Sequence, residues 1–203
     1  MFIYNYLIMI HNNDYDCKIV IIGPENSGKS ALINALFGKY ISQVSNIGGT
    51  TKNPIKKYWG SIKYGKSKKN PKFAKIYFVD VGGLCTSENK NSPIMVGKKL
   101  KKTFEEIESS DIIIHVIDGE KGLLKNFEKL HHQLKFRYQK PIIVVINKSD
   151  LIDNDKKTEL IKCIENRLNN RAIITSTITY EGINTLLNHI QSLINEVMES
   201  KGG

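Results

Sequence analysis

The sequence has few cysteines, few arginines and no long unbroken apolar run, and each scarcity removes a class of protein. Cys17, Cys85 and Cys163 stand far apart with no Cys-x-x-Cys spacing. Neither a disulfide framework nor a zinc site is expected, and a reducing, cytoplasmic setting fits. Cys17 and Cys163 read as small core residues. The apolar stretch at residues 1–10 is broken by Tyr4, Asn5 and Tyr6 and is too short to span a bilayer. It has no basic leading region or small-residue cleavage site, so no signal peptide is expected, and Met9 is an alternative start. Phe2 stands where myristoylation needs glycine, and Gly203 carries no lipidation signature. Stable membrane insertion is therefore not expected. Arginine occurs only at Arg137, Arg167 and Arg171, away from every motif described below. That leaves little support for an internal arginine finger and none for the arginine-rich lid of a nucleoside kinase.

Lysine, by contrast, is abundant. The chain of 203 residues carries a net charge of +10, with 40% hydrophobic and 25% charged residues, a globular composition of single-domain size. Residues 52–75 hold nine lysines and no acid, and a second cluster is Lys98, Lys99, Lys101 and Lys102. Both clusters suit nucleic-acid phosphates or an anionic surface. A general bias toward Lys, Asn and Ile explains them equally well. Tyr58, Trp59, Tyr64, Phe73 and Tyr77 interleave with the first cluster, without a recognisable RNA-binding module around them.

Apolar runs alternate with amphipathic stretches. Strands are expected at 18–22, 76–79, 112–117, 142–146 and 172–175. Helices are expected at 30–37, 94–108, 123–138, 156–168 and 183–197. The lysine-rich stretch 58–75 reads as a hairpin or loop between two strands, and Gly202-Gly203 as a frayed end. This rhythm predicts an α/β fold with parallel strands joined by crossover helices. Runs apolar at nearly every position predict strands covered on both faces.

Gly23-Pro24-Glu25-Asn26-Ser27-Gly28-Lys29-Ser30 fits G-x-x-x-x-G-K-[ST] between an expected strand and an expected helix. Glycines let the backbone aim its N–H groups at phosphate, at a helix start that already favours anions. Glu25, Asn26, Ser27, Gly28 and Ala31 belong to this binding loop. Lys29 would reach the β- and γ-phosphates, and the Ser30 hydroxyl would bind Mg²⁺. The loop alone does not choose the base. Asn147-Lys148-Ser149-Asp150 closes the strand at 142–146, where open α/β sheets bind ligands. The Asp150 carboxylate can accept from guanine N1–H and N2–H₂, donors that adenine does not pair in this way. Asn147 can bond the base edge and brace the loop, and the Lys148 stem can lie across the purine. Leu151 completes this set. A site that pairs such donors rejects the wrong base by roughly 10⁴-fold.

Asp80-Val81-Gly82-Gly83 closes the strand at 76–79 and supplies a carboxylate for Mg²⁺ and the Gly83 N–H for a γ-phosphate. Gly48-Gly49-Thr50-Thr51 lies between it and the loop, where a threonine hydroxyl would complete the Mg²⁺ shell. In the order P-loop, threonine, D-x-x-G, N-K-x-D, residues 17–195 resemble the TrmE–Era–EngA–YihA class of P-loop GTPases. Gly49-Thr50-Thr51-Lys52-Asn53 is similar to the G-T-T-R-D switch of that class, with Lys for Arg and Asn for Asp, and it implies Thr51 as the Mg²⁺ threonine. Asp80-Val81-Gly82-Gly83-Leu84 is similar to the Der (EngA) branch. Thr175-Ser176-Thr177 with Glu181-Gly182-Ile183 resembles the S-A-x…G-I ending, which implies that backbone after Ser176 meets guanine O6, with Thr177 where Ala is usual. In length the chain is similar to stand-alone YihA (EngB) proteins. The Gly-Thr-Thr…Pro54 run also resembles the G domain of HydF, without a counterpart to its cysteine-bearing cluster domain.

The resemblance implies a three-layer Ras-like G domain at 17–198, after an N-terminal extension at 1–16 and before a flexible tail at 199–203. It implies GTP and GDP binding with Mg²⁺, GTP hydrolysis carried by Lys29, Thr51 and Gly83, and switching at 41–57 and 82–96. Leu84 occupies the place where related enzymes orient water with Gln. Members of the class without that Gln often use a monovalent cation held by a P-loop Asn, and Asn26 is in the matching position. K⁺ stimulation with Asn26 as a ligand is therefore an expectation, as is ribosomal RNA or a ribosomal subunit as partner. His131 and His132 read as surface or packing residues, and His115 as a satisfied core histidine.

Overall fold

A computed structural model describes residues 15–38, 54–64, 72–82 and 93–201. The elements follow in the order β1 (Tyr15–Ile22), α1 (Lys29–Phe37), β2 (Ile55–Tyr64), β3 (Lys72–Asp80), α2 (Pro93–Glu108), β4 (Ile112–Asp118), α3 (Lys125–Tyr138) and β5 (Ile142–Asn147). A 3₁₀ turn (Ser149–Leu151), α4 (Asn154–Leu168), β6 (Ala172–Ile174) and α5 (Ile183–Lys201) complete it. The strands form one sheet in the order β2-β3-β1-β4-β5-β6, with β2 antiparallel to β3 and every other pairing parallel. This is the expected three-layer α/β architecture, with helices on both faces.

Sheet strands so rich in Ile and Val present apolar side chains both ways. Cys17, Ile19, Ile21, Ile112, Ile114 and Val116 pack with α1 and α5 on one face. Val20, Ile22, Ile113, Ile107 and Leu134 form the opposite core, and Ile117, Val144 and Ile146 extend it to Ile164 and Leu168 of α4. α5 contributes Ile183, Leu186, Ile190, Ile194 and Met198, a stripe at helical spacing. Met198 is fully buried, which explains why α5 runs past residue 197 to Lys201. Burying each such side chain contributes about 1.5–3 kcal/mol.

The lysine-rich stretch is expected as a hairpin or a loop between two strands. It is a hairpin, but residues 58–64 belong to a strand that pairs with β3 from Ile55↔Asp80 to Tyr64↔Lys72. Its apolar residues are spaced irregularly because of a bulge between Tyr58 and Gly60. Two residues there, Trp59 and Gly60, lie opposite Ile76, and the extra one resets the alternation. Trp59, Ile62 and Tyr64 all pack with the core as a result. Helix α4 begins at Asn154, ahead of the expected 156, because the Asp153 carboxylate caps it by accepting from the Lys156 N–H at 2.8 Å. Cys163, expected in the core, is exposed on α4; Cys17 is buried, and burial pushes its thiol up to about 12. No helix of the described residues is long and apolar enough to cross a membrane.

Candidate guanine-nucleotide site

Three parallel strands, β1, β4 and β5, end side by side, and the loops leaving them converge. The loop after β1 wraps its own carbonyl: the Ser27 hydroxyl and the Lys29 ammonium both donate to Pro24 O, at 3.0 and 2.7 Å. Lys29 is buried, while Glu25, Asn26, Ser30 and Ala31 are exposed. Asn26 stands at φ 62°, a left-handed turn position that Asn tolerates. Helix α1 follows Gly28, which gives its first turn no side-chain cap. Its leading N–H groups are thus available to an anion.

Gly28 shows why the loop needs glycine. It adopts φ 86°, and a Cβ there would lie 2.3 Å from Asn147 Nδ2. The closeness has a cause: Asn147 Nδ2 donates to Ser27 O at 3.0 Å, tying the end of β5 to the phosphate loop. Asn147 Oδ1 accepts from Thr175 Oγ1 at 3.2 Å, and both residues are fully buried. Of the two roles open to Asn147, the side chain performs the brace.

The residues expected to read the base are oriented by partners. Asp150 Oδ1 accepts from Ser176 Oγ at 2.5 Å. Ser176 Oγ also accepts from Ile178 N and Thr179 N, both at 3.1 Å, so one hydroxyl shapes its loop and aims the carboxylate. Lys148, at φ 65°, extends its ammonium to Asp118 Oδ2 at 2.7 Å. Asp118 is buried at the end of β4 and its other oxygen accepts from Glu120 N. Ser149 donates to Glu181, which also pairs with Lys157; those two contacts, the hydroxyl first, hold the Glu181 carboxyl below the usual range. Leu151 is exposed beside Asp150, and Thr177 is half-buried after Ser176.

At the other end of the site, Ser30 Oγ donates to Asp80 Oδ2 at 2.5 Å, and Asp80 Oδ1 accepts from Gly82 N at 2.9 Å. A hydroxyl and a buried carboxylate converging beside an uncapped helix start are hard oxygen donors suited to Mg²⁺. The residues therefore fit a magnesium nucleotide. Thr50, Thr51, Gly83 and Leu84 lie outside the described residues, as does Cys85.

Asp118, Thr175 and Glu181 were not singled out for these roles from sequence. Asp118 was within reach, being a carboxylate at the carboxyl end of a central strand. Glu181 acts through Ser149, 32 residues away, a pairing that no local spacing reveals. His115 and His131 are fully buried, their Nδ1 atoms 3.2 Å apart between β4 and α3, while His132 is exposed. His115 is a core histidine but only partly satisfied: neither Nε2 of the pair has a partner among the described residues.

Comparisons with known proteins agree with this geometry. Residues 18–148 match the family model of the 50S ribosome-binding GTPase. An uncharacterised protein of Methanocaldococcus jannaschii is 60% identical over 177 residues, covering 87% of this chain and 96% of that one. GTPase Der of Persephonella marina is 31% identical over 196 residues, covering 91% of this chain but only 40% of Der. Among solved structures, Aquifex aeolicus Era bound to GDP and AlF₄⁻ superposes with a TM-score of 0.69 at 25% identity, over 89% of this chain and 57% of Era. Era with MgGDPNP and nucleotides 1506–1542 of 16S ribosomal RNA gives 0.67 at 28% identity, over the same shares. The phosphate loop braced by Asn147, the Ser30–Asp80 pair and these likenesses lead to one assignment: the chain belongs to the 50S ribosome-binding GTPase family, within the TrmE–Era–EngA–YihA class.

Proposed function

We propose that this protein binds guanine nucleotide with Mg²⁺, hydrolyses GTP to GDP and phosphate, and acts as a cytoplasmic switch in ribosome assembly. The observation that carries the reading is the Asp150 carboxylate held by Ser176 beside a phosphate loop that Asn147 ties to the same strand end. Asp150 would accept from the two guanine donors, and Lys148, steered by Asp118, would line the purine face. Lys29 and the N-terminal backbone of α1 would neutralise the phosphates. Ser30, Asp80 and Thr51 would hold Mg²⁺, and Gly83 N–H would meet the γ-phosphate. When bound, Mg²⁺ supplies charge neutralisation on the β- and γ-oxygens.

Base reading is tested by titrating wild type and Asp150→Asn with labelled GTP, ATP and XTP. Wild type should favour GTP over XTP, and the variant should reverse that order by at least roughly 100-fold. Equal affinity for ATP in wild type, or no change in the variant, would remove the guanine assignment.

Leu84 cannot orient water, so turnover needs another source of charge stabilisation. We assign it to K⁺ with Asn26 as a ligand, acting where an arginine finger acts in other enzymes. Turnover should be several-fold faster in KCl than in NaCl at equal ionic strength, and Asn26→Ala should abolish the difference. Equal rates in both salts would refute the K⁺ role. The same Leu84 favours a second reading, a GTP-binding switch or scaffold with negligible intrinsic hydrolysis that regulates a protein or membrane partner; single-turnover assays without any partner separate the two. Ribosomal RNA is the partner suggested by the lysine-rich hairpin and by Era's complex with 16S RNA.

A further inference from the structure

The bulge in β2 sorts the aromatic and basic residues of the hairpin onto two faces. Trp59 goes inward, its Nε1 donating to Leu36 O at 3.3 Å and its ring meeting Phe78 edge-on at 5.6 Å. Ile62 and Tyr64 go inward with it. The opposite face carries cross-strand pairs with another composition: Tyr58 opposite Tyr77, Ser61 opposite Lys75, Lys63 opposite Phe73, and Lys56 beside them. Tyr58 is 53% exposed and Phe73 42%. Large rings that exposed on a sheet face, when their neighbours fill a core, call for an explanation.

Each ring has a basic neighbour. The Lys56 ammonium lies over the Tyr77 ring at 3.8 Å, and Tyr77 meets Tyr58 at 5.4 Å. The Tyr58 hydroxyl bonds the Ser61 hydroxyl at 2.9 Å, which steadies the ring without hiding it. Tyr58 and Phe73 stand about 13 Å apart along the strands, from 3.3 Å per residue. β2 and β3 place no acid on this face. Among the described residues the charge becomes mixed toward β1, where Asp16 lies opposite Lys75 and Lys18 is ion-paired with Glu106.

We infer that this outer face of β2 and β3 is a stacking platform for single-stranded RNA. Unpaired bases stack on Tyr58 and Phe73, while Lys56 and Lys63 follow the phosphates. Rings interleaved with cations on an open sheet are the physical requirement for binding a strand without a duplex. Duplex RNA hides the base faces and leaves only charge to recognise. An acidic protein would need the lysines but not the rings, and a membrane would need a continuous apolar patch rather than rings separated by lysines. The inference rests on the proposed RNA partner, and it names the surface and the strandedness. The same β3 ends in Asp80, so the platform and the metal carboxylate share one strand.

The test is fluorescence anisotropy with a labelled uridine 12-mer and an RNA duplex of equal length, using the full chain loaded with GDP and then with a non-hydrolysable GTP analogue. Tyr58→Ala and Phe73→Ala should each weaken the single strand about tenfold and leave the duplex within twofold. Tyr58→Phe should restore wild-type affinity, and guanine-nucleotide binding of each variant reports that it is folded. Lys63→Glu should weaken both RNAs and flatten the salt dependence. If RNA binds and neither aromatic variant changes it, the platform is wrong and the RNA partner stands. If neither RNA binds in either nucleotide state, or the chain pellets instead with anionic phosphatidylserine vesicles, platform and RNA partner fall together. The GTP-against-XTP titration is untouched by that result.

Discussion

At the base end of the site, side chains tie the loops after β1, β4, β5 and β6 to one another: Asn147 to Ser27 and Thr175, Lys148 to Asp118, Ser176 to Asp150, Ser149 to Glu181. At the metal end, among the described residues, the link between elements is Ser30 with Asp80, and Asp80 is otherwise steadied by a backbone N–H two residues on. On the proposed function, the contrast follows the ligand. A guanine base is the same before and after hydrolysis, so its reader gains from being fixed in advance and costs less to order on binding. The γ-phosphate is present in one state and not in the other. A metal end linked, among the described residues, through Ser30 and Asp80 can respond to it.

The contrast is broken most severely at the residue both ends depend on. Gly28 leads α1 into the phosphate loop and leaves room for the Asn147 brace. Gly28→Ala places a Cβ 2.3 Å from Asn147 Nδ2 at a φ of 86°, so either the brace or the loop must move. Nucleotide affinity should fall by at least roughly 100-fold for GTP and GDP alike, read by calorimetric titration. Retention of both affinities would mean that the brace is not what shapes the loop.

The next largest effect separates the two ends. Asn147→Ala leaves Ser27 O and Thr175 Oγ1 without their buried partner and should destabilise the nucleotide-free fold by about 2–3 kcal/mol. Ser30→Ala removes a hydroxyl from an exposed residue but leaves the buried Asp80 Oδ2 without its donor, and should destabilise by about 1 kcal/mol, less than Asn147→Ala, while weakening Mg²⁺-dependent nucleotide binding. Urea unfolding of both variants, without nucleotide, provides the measurement. Equal losses would show that the metal end is as firmly built as the base end.

How much of this was legible in the sequence depends on the length scale of each cause. The sheet, its parallel order and the placement of Lys29, Ser30, Asp80, Asn147 and Asp150 follow from local apolar runs ending in motifs. The stretch at 58–64 stays open between hairpin and loop because a bulge breaks the alternation by which strands are recognised, and only pairing with β3 shows that the phase is restored. Cys163 was misplaced because helical spacing does not say which side of α4 meets the sheet. Glu181 and Asp118 serve other side chains across loops, and the sequence pattern does not record such partnerships. The Ser176 loop shows the intermediate case: its motif was visible, but its hold on Asp150 was not.

A dependence on pH tests a region beneath the wired end, where β4 runs between β1 and β5. His115 lies opposite Ile22 of β1 and Val144 of β5 and shares its buried contact with His131 of α3. Burial, and then the neighbouring His131, pushes His115 down to about 3; burial, and then His132 and Lys135, lowers His131 to about 4. Both are below the ordinary 6.5, so the unfolded chain binds protons that the fold refuses. Stability is complete above about pH 6.5 and is lost as pH falls toward 4, the opposite of what a charge-paired histidine gives. Between pH 6.5 and 5 the loss should reach up to about 2 kcal/mol per histidine, before ordinary carboxylates titrate. Urea midpoints measured across that interval should slope downward in wild type and much less in His115→Leu/His131→Leu. A flat wild-type profile would mean that the pair takes up a proton in the fold as readily as in the unfolded chain.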